Sequence, residues 1–199
     1  PGGNMARLAP LDRKDLPQLE PMFQLVEASM GFVPNSMFIM ARKPGLVEAF
    51  AGLGLVAMQG ENLPEGLGRL VAYMASHSSG CQYCQAHTHH QAARDGLPGA
   101  KLDDIWNYER SDLFSEAERA ALRVAQSAGV TPNEVTDADF VELRKHFSEI
   151  QIVEIVSIIA FFGFLNRWND TFATPLESGP LTHASAHLAA HGWTGGNHV

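Results

Sequence analysis

Apolar positions recur every three or four residues along most of the chain, the spacing of a helix with one buried face. Leu16, Leu19, Met22, Phe23 and Val26 make such a stripe over 16–30, and Gly31 can end that helix. Pro34 argues against an immediate helical restart. Pro44 and Pro64 suit the first turns of a second and a third helix. Their apolar faces are Leu46, Phe50 and Leu53, then Leu67, Leu70, Val71 and Met74. Ser78-Ser79-Gly80 breaks the third helix, and a fourth is expected from Cys81 to Asp95, stopped by Gly96. A short helix is expected over 102–106. Ser115 with Glu118 forms a capping box, and Ser148 with Gln151 forms a second one before an apolar helix through Trp168. Between them, Thr136 opens a helix whose buried stripe is Phe140, Leu143 and Phe147. No segment alternates with period two over a useful length, so the predicted fold class is all-α.

The chain is 45% apolar and 18% charged, which excludes wholesale disorder and low-complexity fibres. Its 199 residues suffice for one packed core without staples. Fourteen basic against 22 acidic side chains give a net charge of −8. That balance argues against nucleic acid, which needs a basic face, and against an anionic membrane surface. The most apolar stretch, 155–165, is shorter than the roughly 20 residues a bilayer span requires. A soluble, cytoplasmic protein is the expectation. Residues 1–4 precede Met5 and read as an expression scar, so the domain is drawn over 5–177. The remaining 178–199 carry His183, His187, His191 and His198, three of them at spacing four, and read as a weakly ordered tail, with a metal site as the alternative.

The chain's only two cysteines stand in Gly80-Cys81-Gln82-Tyr83-Cys84-Gln85-Ala86-His87-Thr88. Spacing three at a helix start lets two sulfurs approach bonding distance. The helix N-terminus favours thiolate. His87, one turn beyond Cys84, can reach its sulfur. A dithiol–disulfide cycle needs these parts together. Two buried structural cysteines are one alternative. Zinc on Cys81, Cys84, His87 and His90 is another, but four ligands on one continuous helix cannot converge on one ion, so no metal or cofactor is assigned. Covalent haem is excluded because Gln85, not histidine, follows the second cysteine.

This motif at the start of a helix resembles the alkylhydroperoxidase AhpD-like, carboxymuconolactone decarboxylase-like superfamily. The preceding helix over 63–77 and the segments Phe114-Ser115-Glu116-Ala117-Glu118, Phe147-Ser148-Glu149 and Asn166-Arg167-Trp168-Asn169-Asp170 extend the resemblance across about 15–177. It implies an all-helical fold assembled into homo-oligomers, trimers or hexamers. It also implies a peroxiredoxin-type alkylhydroperoxidase or thiol–disulfide oxidoreductase. Cys84 would then attack the peroxide, Cys81 would close the disulfide, and an external dithiol would reopen it. Redox members place a glutamate twelve residues before the first cysteine, where this chain has Arg69, and a histidine four after the second, where it has Thr88. His87 is therefore the expected proton carrier, with His77 or Glu65 as its helper. An arginine beside a thiol would favour thiolate. Asn166, Arg167, Asn169 and Asp170 read as capping and salt-bridge residues, and His89 and His90 as solvent-facing or at a subunit contact. A lactone-processing enzyme of the decarboxylase branch and a non-catalytic stress or interaction protein are the alternatives.

Overall fold

The computed structural model describes residues 6–199; the segment read as an expression scar lies outside them. Ten α-helices follow in order, and no strand occurs among the described residues. They are α1 Glu20–Met30, α2 Asn35–Met40, α3 Leu46–Gln59, α4 Leu67–Ser78, α5 Gln82–Arg94, α6 Gly99–Asp103, α7 Glu116–Gly129, α8 Asp137–His146, α9 Glu149–Phe172 and α10 Ser178–His187. The all-α expectation holds, and local chemistry sets most boundaries. Both expected capping boxes form, Ser115 with Glu118 and Ser148 with Gln151. Thr136 forms a third with Asp139.

The N-terminal helix starts later than its stripe suggests. Pro17 opens a 3-10 turn, and α1 begins only at Glu20. Pro34 does not delay the next helix; it is the N-cap of α2, whose Met37 and Met40 are buried with Phe23 and Val47. Leu53, expected on the buried face of α3, is exposed, as are Leu55 and Val56.

The centre of the molecule is α4, packed against α5, α7 and α9. Its Leu67, Leu70, Val71 and Met74 lie in one core with Leu122 and Val124 of α7 and Ile155 and Ile158 of α9. The capping box carries α9 well past its apolar centre. It has 24 residues, and an 18-residue window of it has a mean hydropathy of 1.6, so it is long and apolar enough to cross a membrane by length and composition, contrary to the expectation from 155–165. In this fold it is the helix against which α3, α4, α5 and α7 pack. Its outward side leaves Ile150, Val153, Val156 and Phe164 exposed, next to the exposed residues of α3.

Segment 178–199 is not a loose tail. Helix α10 lies along α5, and Ala184, Leu188 and Trp193 enter the main core. Trp193 Nε1 donates to the Gln82 carbonyl at 2.9 Å, tying the C-terminal segment to the first turn of α5.

Candidate functional site

Helices α4 and α5 are joined by Ser79, Gly80 and Cys81. Gly80 has φ +79°, which permits this tight reversal without the steric cost of a side chain. Cys81 is the N-cap of α5, and its Sγ accepts the Cys84 amide N–H at 3.3 Å. Both thiols are free, with Cys81 0% and Cys84 2% exposed. With Tyr83 they form a small cluster covered by Leu165 and Leu176. Asn169 Nδ2, from the last turn of α9, donates toward Cys84 Sγ at 3.5 Å. The environment of Cys81 is different. Burial first, then its hydrogen bond with Cys84 and the charges of Cys84 and Asp170, push the Cys81 thiol well above its ordinary range. The helix N-terminus does not make Cys81 a thiolate, because burial outweighs the single N–H directed at it.

His87 lies one turn beyond Cys84, as expected, but no hydrogen bond joins it to either sulfur among the described residues. Its Nε2 faces Glu177 Oε2 at 2.5 Å. Its ring stacks on Tyr83 at 4.2 Å between centroids and meets the edge of Phe32 at 5.2 Å. Glu177 Oε1 accepts the Tyr83 hydroxyl at 2.8 Å and the Asn35 backbone N–H, at the start of α2, at 2.5 Å. Burial alone would raise the Glu177 carboxyl. The His87 charge and the hydrogen bonds from His87, Asn35 and Tyr83 more than offset this and hold it below the usual range. Burial and the Glu177 charge hold the Tyr83 phenol well above its usual range, so it stays a donor.

Sequence reasoning missed Glu177. The carboxylate sits ninety residues from His87, in a Pro-Leu-Glu stretch that carries no motif. It also assigned Asn169 and Asp170 to capping and a salt bridge; Asn169 instead reaches Cys84, whereas Asp170 Oδ1 does lie 3.3 Å from His198 Nε2, across to the C-terminal segment.

The two residues expected to help His87 are not brought to it. The His77 ring packs edge-on against Trp106 at 4.7 Å and faces Tyr73, and burial lowers its pKa. Glu65 is exposed and precedes the N-terminus of α4, whereas the cysteines follow its C-terminus. Twelve helical residues, about 18 Å, lie between them. Arg69 is at that same far end. It pairs with Asp95 at 2.5 Å, beside a cleft of about 600 Å³ that also includes Glu65, so it does not act on the thiols. His89 is not solvent-facing: it is buried, and its Nδ1 lies 2.8 Å from Nε2 of His183 on α10.

The Carboxymuconolactone decarboxylase family model matches residues 44–127, which include α3, α4, α5 and most of α7. Two crystal structures of the debrominase Bmp8 are similar over almost the whole chain. The apo form gives a TM-score of 0.84 at 36% identity, covering 89% of this chain and 96% of that one. A cysteine-to-alanine variant of the same debrominase, in complex with 2,3,4-tribromopyrrole, gives 0.85 at 36%, covering 90% and 96%. An uncharacterized peroxidase-related protein from Ralstonia eutropha JMP134, described as an alkylhydroperoxidase AhpD core, gives 0.75 at 26%, covering 88% and 94%. In sequence, the chain is 31% identical over 97 residues to the uncharacterized protein YnjA of Escherichia coli. That match takes in 49% of this chain and spans about half the length of the relative, 53%. The fold, the helix-start dithiol and these similarities agree: the chain belongs to the AhpD-like, carboxymuconolactone decarboxylase-like superfamily.

Proposed function

We propose that this protein is a dithiol oxidoreductase that passes two electrons from Cys84 and Cys81 to a small electrophile, in the first instance a peroxide. The observation that carries this reading is the pair of free, buried thiols at one helix start, with Asn169 on the Cys84 sulfur and the His87–Glu177 pair a turn away. Cys84 thiolate attacks the peroxide O–O bond and becomes a sulfenic acid. His87, held by Glu177, protonates the leaving alkoxide, so the product is an alcohol. The Cys81 thiol then condenses with the sulfenic acid, a disulfide forms and water leaves. An external dithiol restores both thiols. Cys84 is given the attacking role because burial and Asp170 keep Cys81 protonated. A cytoplasmic location fits this cycle, because that compartment keeps thiols reduced between turnovers.

Titration of free thiols before and after one equivalent of peroxide tests this. Two thiols per chain should disappear together. Cys84→Ser should abolish peroxide consumption, and Cys81→Ser should stop after one turnover with a sulfenic acid at Cys84. Two unreacted thiols would overturn the reading; the opposite behaviour of the two variants would reverse the roles.

Reductive debromination is a second reading, favoured by the 36% identity to a debrominase along 96% of its chain. The same dithiol would convert an aryl bromide to the arene, with a disulfide and hydrogen bromide as the other products. Bromide release from a brominated pyrrole by the reduced protein, lost on replacing either cysteine, distinguishes this substrate from peroxide. Retention of turnover after replacing both cysteines would favour lactone chemistry instead. The exposed apolar faces of α3 and α9 support assembly into a homo-oligomer, a trimer or hexamer.

A further inference from the structure

The sequence lacks a second ligand pair to complete a metal site with the Cys-x-x-Cys, but the fold supplies other donors. Cys81 Sγ, an Asp170 carboxylate oxygen and a His198 ring nitrogen lie within 4.8 Å of one another. They come from the start of α5, the end of α9 and a 3-10 turn at Gly196–His198. Thiolate, carboxylate and imidazole are the ligand types that zinc takes.

The orientation of His198 is informative. Its Nδ1 lies 2.8 Å from the Thr174 carbonyl oxygen, which can only accept, so Nδ1 carries the ring proton. In the neutral ring Nε2 then presents its lone pair toward Asp170 Oδ1, 3.3 Å away. Two acceptors face each other there unless a proton or a cation lies between them. A carbonyl behind the imidazole is also what fixes the ring of a metal-bound histidine. An edge of 3.3 Å suits a tetrahedron whose bonds are about 2.0–2.1 Å. The Cys84 N–H directed at Cys81 Sγ at 3.3 Å would still serve a metal-bound thiolate. The His198 backbone is fixed as well, because its carbonyl accepts the Leu176 N–H at 2.9 Å. Cys81 and His198 are buried, whereas the Asp170 side chain is 45% exposed. Asp170 lines a cleft of about 380 Å³ with Ser79 and Asn166, which gives an ion a way in and leaves room for a water as fourth ligand.

We propose that Cys81, Asp170 and His198 form a binding site for a zinc-type divalent cation, open to solvent on the Asp170 side. Binding replaces the Cys81 thiol proton, which leaves to solvent, by a metal–sulfur bond. A sulfur held in this way cannot join Cys84, so the bound ion and the disulfide are mutually exclusive states of Cys81. The site does not depend on the oxidoreductase reading, because ion binding is measured on reduced protein without peroxide.

The test uses the full chain, reduced and stripped with a chelator. Zinc is titrated in competition with a chromophoric chelator, and cobalt(II) is added separately as a spectroscopic probe. One ion per chain should bind, and cobalt should show a thiolate charge-transfer band that Cys81→Ser removes. Asp170→Asn and His198→Ala should each weaken zinc binding about tenfold or more. Converting the dithiol to its disulfide with a small disulfide oxidant should release the ion. The double change His183→Ala, His187→Ala should leave binding unmoved. Absence of saturable 1:1 binding, or binding unchanged by both Asp170→Asn and His198→Ala, overturns the proposal. Loss of binding only in the doubly changed His183 and His187 variant would place the ion on α10 and also overturn it. Asp170 is half-exposed, so Asp170→Asn keeps the test decisive if His198→Ala fails to fold.

Discussion

Replacing Glu177 by alanine and by glutamine separates what its charge does from what its oxygens do. The side chain is 12% exposed and receives three donors: Asn35 N–H, the Tyr83 hydroxyl and His87 Nε2. Glu177→Ala leaves all three beside a cavity. Removing one partner of a buried ion pair costs about 3–5 kcal/mol, and that is the loss expected at pH 7. Glu177→Gln keeps an acceptor for Tyr83 and Asn35 and forfeits only the charge-assisted part, about 1–2 kcal/mol. Urea denaturation at fixed protein concentration gives both values, with the concentration held because an oligomer's stability depends on it. The pH dependence supplies a second check. The Glu177 carboxyl is held below its ordinary value of 4.5, so the native state binds fewer protons than the unfolded state just below that pH. Its stabilisation is complete above pH 4.5 and is lost as pH falls through the lower native value. The stability gap between the unmodified protein and Glu177→Gln should therefore be widest above pH 4.5 and close on acidification. If glutamine costs nothing, or if the gap ignores pH, the charge on Glu177 is not what holds His87 and Tyr83 in place.

Three further outcomes follow from other parts of the molecule. Burial first, then the charges of His183 and His187, lower the His89 pKa to about 4. The native state then takes up fewer protons than the unfolded chain between the ordinary histidine value of 6.5 and about 4, so the melting temperature should fall across that window, and His89→Gln should flatten the fall. Val153→Glu, on the exposed face of α9, should shift light scattering to a smaller species; an unchanged mass would show that this face is not a subunit contact. Glu65→Gln should leave alkylation of both cysteines by iodoacetamide unaltered, because α4 separates Glu65 from them; slowed alkylation would refute that placement.

The sequence by itself determined the helices and the location of the thiols, because these are local matters. Ser115, Thr136 and Ser148 satisfy amide donors three residues ahead, and Gly31 and Gly96 close helices in the left-handed region, with φ +85° and +86°. The start of α5 at the Cys-x-x-Cys was legible for the same reason. Pro34 was not, since a residue that disfavours helix before itself is tolerated at the start of one, and only the packing of Met37 and Met40 decides which. Glu65 and Arg69 looked relevant when counted back from Cys81, but α4 runs its full length between them and the cysteines. The Arg69–Asp95 pair shows that the two helices are antiparallel, which puts Arg69 at the opposite end from the dithiol. Glu177, Asn169, Asp170 and His198 reach the thiols and His87 from segments 85 or more residues away. Each is a single polar residue with no periodic neighbour to mark it. A buried carboxylate or imidazole is tolerable only where partners meet it, and those partners are assembled by the packing of α9 and the C-terminal segment on α5. That packing, rather than any local pattern, decided which residues surround the sulfurs.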